Sequence, residues 1–304
     1  MSTKEIESPE LKSLIAVRHS LKSQDGLSPE GLELAKKVGK TQLAKIINQA
    51  SPESLIIVMG VSDANRTRQT AESMIQGLAL AIDKDEVVPD TLLITPDKLV
   101  DTDESQRGSN KYPAIIRTLN RLAAEEGRGK KVVISLPLEV TGLSLLGWMK
   151  AWKDEERKLQ ILHPYFLKLD NIEPDLDKQF FIWLREYVQA RDAGEPFEGP
   201  NPEKVGQGIV SAVAKITDRV IKYASKQNQD RPLSVVVVSH SYIIDLLMLM
   251  QLNKGKLSVE SVDLFEGEVA GRELIKEAEI AEFNFPSDGK RTLVYRDKIF
   301  EIGE

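Results

Sequence analysis

Two basic side chains, Arg18 and His19, end a short apolar run that begins at Ser13. A run of this length predicts a buried strand, and open α/β sheets bind ligands beyond the carboxyl ends of their strands. A guanidinium binds phosphate oxygens through its fork of N–H donors, and a neutral imidazole can attack phosphorus. The pair therefore indicates phosphate binding and phosphoryl transfer at a strand end.

A second histidine, His240, ends a second apolar run, which begins at Leu233. The chain has 3 histidines, and chance rarely places two of so few at the ends of predicted buried strands. We therefore expect His19 and His240 to form one site. The third, His163, stands before Pro164 in an aromatic stretch, and we interpret it as structural.

Strands and helices are predicted to alternate between these two histidines. Ser28 has the residue type of an N-cap, so a helix is predicted to start at Pro29. Residues 55–59 predict the next buried strand, and the helix after it carries Arg66 in its first turn. The start of a helix offers free backbone N–H groups and a partial positive charge to an anion. Arg66 is therefore a second candidate for binding phosphate.

The C-terminal part of the chain predicts a buried helix and a hairpin. Residues 243–250 are nearly all apolar, which predicts a helix covered on all sides. Residues 281–285 and 292–295 are separated by turn-forming residues and predict a closing hairpin at a sheet edge.

The predicted fold is a three-layer α/β sandwich with a mainly parallel central sheet, formed by residues 1–304 as a single domain. Aromatic residues concentrate between residues 140 and 202, and glycine and proline residues follow at the end of this segment. We interpret residues 140–202 as an inserted lobe that covers the site and selects the substrate.

The composition of the 304-residue chain excludes several classes of function. It is 41% hydrophobic and 29% charged, which is ordinary for a soluble globular protein. The net charge of -6 argues against general binding to nucleic acid or to an anionic membrane. With no cysteine there is no thiolate catalysis and no cysteine metal site. We expect a cytoplasmic protein that needs neither a metal nor another cofactor.

The segment Val17-Arg18-His19-Ser20 resembles the Arg-His-Gly signature of the histidine phosphatase superfamily, which includes the cofactor-dependent phosphoglycerate mutases. Three further segments resemble family motifs in the same order: residues 27–31 its Leu-Thr-x-x-Gly, residues 62–71 its Ser-x-x-x-Arg-Ala-x-Gln-Thr-Ala, and residues 238–241 its Val-Ser-His-Gly. The likeness covers roughly the first third of the chain and the block around His240. The chain departs from the family at Ser20 and Ser241, where glycine is usual.

The resemblance implies hydrolysis of a small phosphomonoester through a phosphohistidine on His19. It also implies that Arg18 and Arg66 bind the phosphate beside His240. Arg66 matches the family's arginine, whereas Arg68 is interpreted as a surface residue. Lys22 stands where relatives often have a polar or basic phosphate contact, and it is equally consistent with a solvated loop lysine.

The resemblance also implies an acidic proton donor for the leaving oxygen. In the mutase branch this is a glutamate followed four residues later by glycine, and Glu104 with Gly108 has that spacing. Asp103 and Asp101 are the alternatives. Two other functions stay open: a mutase, although the mutase-type sequence around the acid is missing, and a catalytically silent member that binds a phosphorylated ligand or a protein. The sequence does not define an oligomeric state.

Overall fold

The structure is a computed structural model that describes residues 10–23, 26–60, 64–83, 90–95, 121, 125–136, 149–154, 159–225, 231–287 and 289–302. Within these ranges one sheet has eight strands: β1 (Leu11–Arg18), β4 (Leu55–Gly60), β5 (Thr91–Ile94), β6 (Lys131–Leu136), β9 (Leu233–Ser239), β10 (Ile280–Asn284), β11 (Thr292–Tyr295) and β12 (Lys298–Glu301). Their order across the sheet is β12-β11-β10-β1-β9-β4-β6-β5. Two small hairpins complete the strands: β2 (Lys22–Ser23) with β3 (Gly26–Leu27), and β7 (Lys150–Asp154) with β8 (Leu159–Leu162).

Five neighbouring strands of the sheet are parallel: β1, β9, β4, β6 and β5. Strands β10, β11 and β12 add an antiparallel extension beyond β1. The described helices are α1 (Pro29–Val38), α2 (Ala44–Gln49), α3 (Asn65–Asp83), α4 (Pro164–Ile172), α5 (Leu176–Ala193), α6 (Pro202–Ser225), α7 (Ser241–Leu252) and α8 (Val259–Leu264). The predicted sandwich with a mainly parallel central sheet is therefore confirmed.

Alternate residues of β1 are buried on opposite faces of the sheet. Ile15 and Val17 lie in one hydrophobic cluster with residues of α1, α2 and α3. Leu14 and Ala16 lie in another, with residues of the helices from α4 onward. Successive side chains of a strand point to opposite faces, so a strand covered on both sides is apolar throughout. This is why residues 14–17 form an unbroken apolar run.

Most of the predicted elements are present with small shifts of their ends. Ser28 caps α1 by accepting a hydrogen bond from the Gly31 N–H, as predicted. The single helix expected after it is divided into α1 and α2 by a π-helical turn over Gly39–Leu43. The closing hairpin is β10 with β11, and the prediction missed β12, which forms the actual edge.

The aromatic side chains of α4 and α5 continue the core of the sheet. Phe166, Phe180 and Trp183 are buried in the same hydrophobic cluster as Leu14 of β1. The bounds of the lobe predicted at residues 140–202 stay a prediction. Among the described residues, no helix combines the length and the apolar character needed to cross a membrane.

Candidate functional site

The two predicted strand-end histidines lie side by side. Strands β1 and β9 are parallel neighbours in which Arg18 pairs with Ser239, and the His19 N–H donates to the Ser239 carbonyl at 2.8 Å. The carboxyl ends of parallel neighbours meet at one edge of the sheet, so the next residue of each strand emerges there. The ring centroids of His19 and His240 are 4.9 Å apart.

Arg66, in the first turn of α3, bridges the two rings. Its Nε donates to Nε2 of His19 at 3.2 Å, and its Nη2 lies 3.4 Å from Nδ1 of His240. A guanidinium has donors and no acceptor, so both imidazole nitrogens accept these hydrogen bonds. The structure therefore brings together three of the predicted site residues: His19, Arg66 and His240.

A backbone carbonyl determines the tautomer of His19. Its Nδ1 lies 2.8 Å from the Ser20 carbonyl oxygen, which can only accept, so Nδ1 carries the proton. The neutral ring then has its lone pair on Nε2, the nitrogen that faces Arg66. His240 has the opposite arrangement, because its Nδ1 accepts and its proton is therefore on Nε2.

Both rings are held neutral by their surroundings. Burial lowers the pKa of His19 to about 4, assisted by the positive charges of Arg66 and Arg18 and opposed by the Ser20 carbonyl. Burial and the neighbouring cationic groups lower the pKa of His240 to about 2. At neutral pH His19 is therefore a neutral imidazole with an available lone pair, as a nucleophile requires.

Thr70 and Gly60 position the helix that carries Arg66. The Thr70 hydroxyl accepts from the Ser20 N–H at 3.0 Å and donates to the Arg66 carbonyl at 2.8 Å. Thr70 thus ties α3 to the residue after His19. Gly60, the last residue of β4, packs so closely on α3 that a Cβ there would lie 2.9 Å from the Arg68 backbone nitrogen. Glycine therefore permits the short distance between this strand end and Arg66.

Arg18 is held by the segment that precedes β10. Its Nη1 donates to the Ile275 carbonyl at 2.6 Å, and its Nη2 forms an ion pair with Glu277 at 2.8 Å. It is close enough to the histidines that its charge lowers the pKa of both. The sequence prediction found Arg18 and missed both of its partners.

Lys22 lies on β2 with its side chain exposed, and its charge is one of those that lower the pKa of His240. Its contact with phosphate stays a prediction. The proposed proton donors Glu104, Asp103 and Asp101 lie outside the described residues, so the identity of the acid also stays a prediction.

The two residues that the sequence prediction places outside the site, His163 and Arg68, have local partners. His163 is the N-cap of α4, and its Nδ1 accepts from the Tyr165 N–H at 3.2 Å. Arg68 is half exposed and pairs with Glu72 on the same helix at 3.8 Å.

A buried carboxyl group that the sequence prediction missed lies on α7. Asp245 is 0% exposed, and both of its carboxyl oxygens accept from the Ile275 N–H, at 3.1 and 3.3 Å. Burial raises the pKa of this carboxyl group well above its usual range. A lone acid within the apolar run of residues 243–250 was the signal that could have identified it.

No family model matches the sequence, and no curated protein matches it. Among similar solved structures, a mycobacterial glucosyl-3-phosphoglycerate phosphatase is 14% identical, with 90% of this chain and 91% of that chain covered and a TM-score of 0.41. A phosphoglycerate mutase from Bacillus anthracis is 13% identical, with 97% and 96% covered and a TM-score of 0.37. A phosphoserine phosphatase mutant from Entamoeba histolytica, in complex with phosphoserine, is 14% identical, with 92% and 94% covered and a TM-score of 0.37. No residue role in this chain rests on these structures. Two of these three structures are phosphatases and one is a phosphoglycerate mutase.

Proposed function

We propose that this chain hydrolyses small phosphomonoesters through a phosphohistidine on Nε2 of His19. The observation that carries the proposal is the hydrogen bonding of this ring: Nδ1 donates to the Ser20 carbonyl, and Nε2 faces Arg66 beside the second imidazole. A buried neutral imidazole with a defined lone pair, next to a guanidinium, suits attack on a bound phosphoryl group.

Three buried polar atoms next to the two histidines in the chain support the binding of an anion. The Nε of Arg18 and the hydroxyl oxygens of Ser20 and Ser239 have no hydrogen-bond partner within the described part of the chain. A buried donor without a partner costs about 1–3 kcal/mol. The oxygens of a fully ionised phosphoryl group accept hydrogen bonds and donate none. An anion of this kind therefore suits a site rich in donors.

The proposed reaction has two displacement steps. The Nε2 lone pair of His19 attacks phosphorus while the bond from phosphorus to the ester oxygen breaks, and the leaving alkoxide takes a proton from an acid. Water then attacks the phosphohistidine and gives a proton to the carboxylate that the acid became in the first step. The P–N bond breaks, and inorganic phosphate is released as His19 recovers its lone pair. During the first step Arg66 exchanges its contact with Nε2 for a phosphoryl oxygen. The Nδ1–H···O=C bond to Ser20 strengthens as the ring becomes cationic.

The proton donor is proposed to be Glu104, with Asp103 and Asp101 as alternatives. An alkoxide is a poor leaving group, so Glu104→Gln should slow its release by roughly 10²–10⁴-fold. A nitrophenolate leaves without protonation, so the same variant should retain much more of its rate on an aryl phosphate. The measurement is single-turnover formation of the phosphoprotein from both substrates. Equal losses on the two would mean that Glu104 is not the acid.

A panel of phosphorylated metabolites tests the reaction itself. The proposal predicts release of inorganic phosphate by the wild-type chain from at least one alkyl phosphate, and none above background by His19→Ala. A phosphate ester isomerised without release of phosphate would favour the mutase. Binding of phosphorylated ligands with no turnover on any of them would favour the silent member.

A further inference from the structure

Residues 275–279, which we name the arginine clamp, contact Arg18 through backbone and side chain together. The Ile275 carbonyl accepts from Nη1 of the guanidinium at 2.6 Å, and the Glu277 carboxylate forms an ion pair with Nη2 at 2.8 Å. The Ala278 N–H donates to the Arg18 carbonyl at 3.1 Å, and the Arg18 N–H donates to the Glu279 carbonyl at 3.2 Å. The clamp therefore holds both the backbone and the guanidinium group of Arg18.

The arginine clamp is itself anchored on two sides. At one end the buried Asp245 carboxyl group accepts from the Ile275 N–H, and the helix that carries Asp245 begins directly after His240. At the other end Glu279 accepts from Arg296 at 2.9 Å and from the Tyr295 hydroxyl at 2.9 Å. Its position relative to the histidines is thus defined by contacts within the core.

These contacts leave the Nε–H of Arg18 and one N–H on each terminal nitrogen for other partners. A guanidinium is planar, so holding both terminal nitrogens defines the direction of every N–H in the plane. The Nε of Arg18 is buried and has no hydrogen-bond partner within the described ranges. We propose that Glu277 is a positioning residue, which holds the plane of Arg18 so that its remaining donors meet a phosphoryl group. This role for Glu277 rests on one part of the proposed function, the binding of phosphate by Arg18.

A different role for Glu277 would be competition, in which its carboxylate occupies Arg18 and a phosphate displaces it. The anchoring of the clamp on both sides favours positioning, because it keeps Glu277 against Arg18. The two roles predict opposite results for Glu277→Ala, which loosens Arg18 in the positioning role and releases it for phosphate in the competing role. Glutamine at position 277 retains an oxygen that can contact Nη2, whereas alanine does not.

Binding of inorganic phosphate, measured by calorimetry, separates the roles. We expect Glu277→Gln to bind phosphate within about threefold of the wild type or more tightly, because it keeps the acceptor and loses a negative charge. Glu277→Ala should bind at least about tenfold more weakly, the scale of one hydrogen bond to a charged group. Glu273→Ala is the matched control, because Glu273 lies in the same region and pairs with exposed Lys276. It should bind as the wild type does.

Thermal unfolding of each variant shows whether the fold is retained. If Glu277→Ala does not fold, Glu277→Asp replaces it, because the shorter carboxylate does not reach Nη2 and should also weaken binding. Tighter binding in both Gln and Ala variants would overturn the proposal in favour of competition. Equal binding in both, or equal weakening in both, would overturn it as well.

The test separates this inference from the proposed function because phosphate binding requires no turnover. If Arg18→Ala binds phosphate as tightly as the wild type, the inference fails while covalent catalysis on His19 is untouched. If the wild type binds phosphate but hydrolyses no ester, the proposed function fails while the positioning of Arg18 is still measured.

Discussion

The strand-end histidines and His163 use the same side chain in two different ways. His19 and His240 follow neighbouring parallel strands, are 8% and 2% exposed, and share Arg66 as a hydrogen-bond donor. His163 precedes a helix, and its ring accepts from a backbone N–H of that helix. An imidazole at a helix start satisfies a donor that the helix leaves open. An imidazole at the end of a parallel strand lies beside the end of the neighbouring strand. In this chain that arrangement brings His19 and His240 together.

The surroundings of a histidine matter more for its chemistry than the residue type. Burial beside guanidinium groups keeps the His19 and His240 rings neutral, and a carbonyl defines which nitrogen of His19 holds the lone pair. Changes at the strand ends should therefore alter catalysis, and changes at His163 should alter the stability of one helix.

The largest expected effect is that of His19→Gln. The variant removes the proposed nucleophile, so kcat/KM on an aryl phosphate should fall by about 10⁴-fold or more. Initial rates measure the loss, with His163→Gln as the control that should keep the wild-type rate. A wild-type rate in His19→Gln would remove the distinction between the two kinds of histidine.

Arg66 is expected to have the next largest effect. Arg66→Ala removes the donors that we propose bind the phosphoryl group and should lower kcat/KM by about 10²–10³-fold. Arg66→Lys keeps the charge without the planar fork, so its loss should be intermediate. Arg68→Ala, two residues along the same helix, is the matched control and should react at the wild-type rate. A loss of equal size in Arg68→Ala would show that the effect comes from a disturbance of α3 and not from the loss of the Arg66 guanidinium.

Stability should depend on pH through the buried rings. The pKa of His19 is lowered to about 4, whereas in the unfolded chain it titrates near its ordinary 6.5. Below pH 6.5 the unfolded chain binds a proton that the folded ring resists, so the free energy of unfolding falls as the pH drops toward 4. The contribution of His19 is about 1.4 kcal/mol per pH unit.

Urea unfolding of the wild type and His19→Gln at pH 7 and pH 5 isolates this contribution from that of the carboxylates. The wild type should lose more stability than the variant between the two pH values, by about 2 kcal/mol. Equal losses would mean that the His19 ring is not held neutral by burial.

The smallest effect is expected at His163, the histidine outside the strand-end pair. His163→Ala removes the acceptor for the Tyr165 N–H and should lower the free energy of unfolding by about 1 kcal/mol. His163→Asn keeps a side-chain acceptor and should recover most of that loss. Chemical denaturation measures both variants, and activity should be unchanged in each. A drop in kcat with His163→Ala would place this residue in the chemistry and erase the contrast.

The strand ends could be predicted from the sequence, whereas the partners of Arg18 could not. His19, Arg66 and His240 each follow a local pattern, an apolar run or a helix start, and parallel pairing then brings them to one edge. Glu277 reaches Arg18 only because β10 returns antiparallel beside β1, and the Arg18 to Ile275 hydrogen bond spans 257 positions of the chain. Pairing at this distance leaves no periodic signal near either residue. The sequence likewise identified the hairpin and missed β12, whose residues are mostly exposed and carry little apolar pattern.

Chemical trapping of the intermediate tests the role of His19 most directly. Phosphohistidine is hydrolysed in acid, so the reaction with a labelled phosphomonoester is stopped in base and the protein is digested. We predict an acid-labile, base-stable phosphoryl group on the peptide that contains His19, formed within one turnover and absent in His19→Ala. His163→Ala should label as the wild type does. Wild-type turnover in His19→Ala, or a label on any other residue in the active wild-type chain, would contradict covalent catalysis at this strand end.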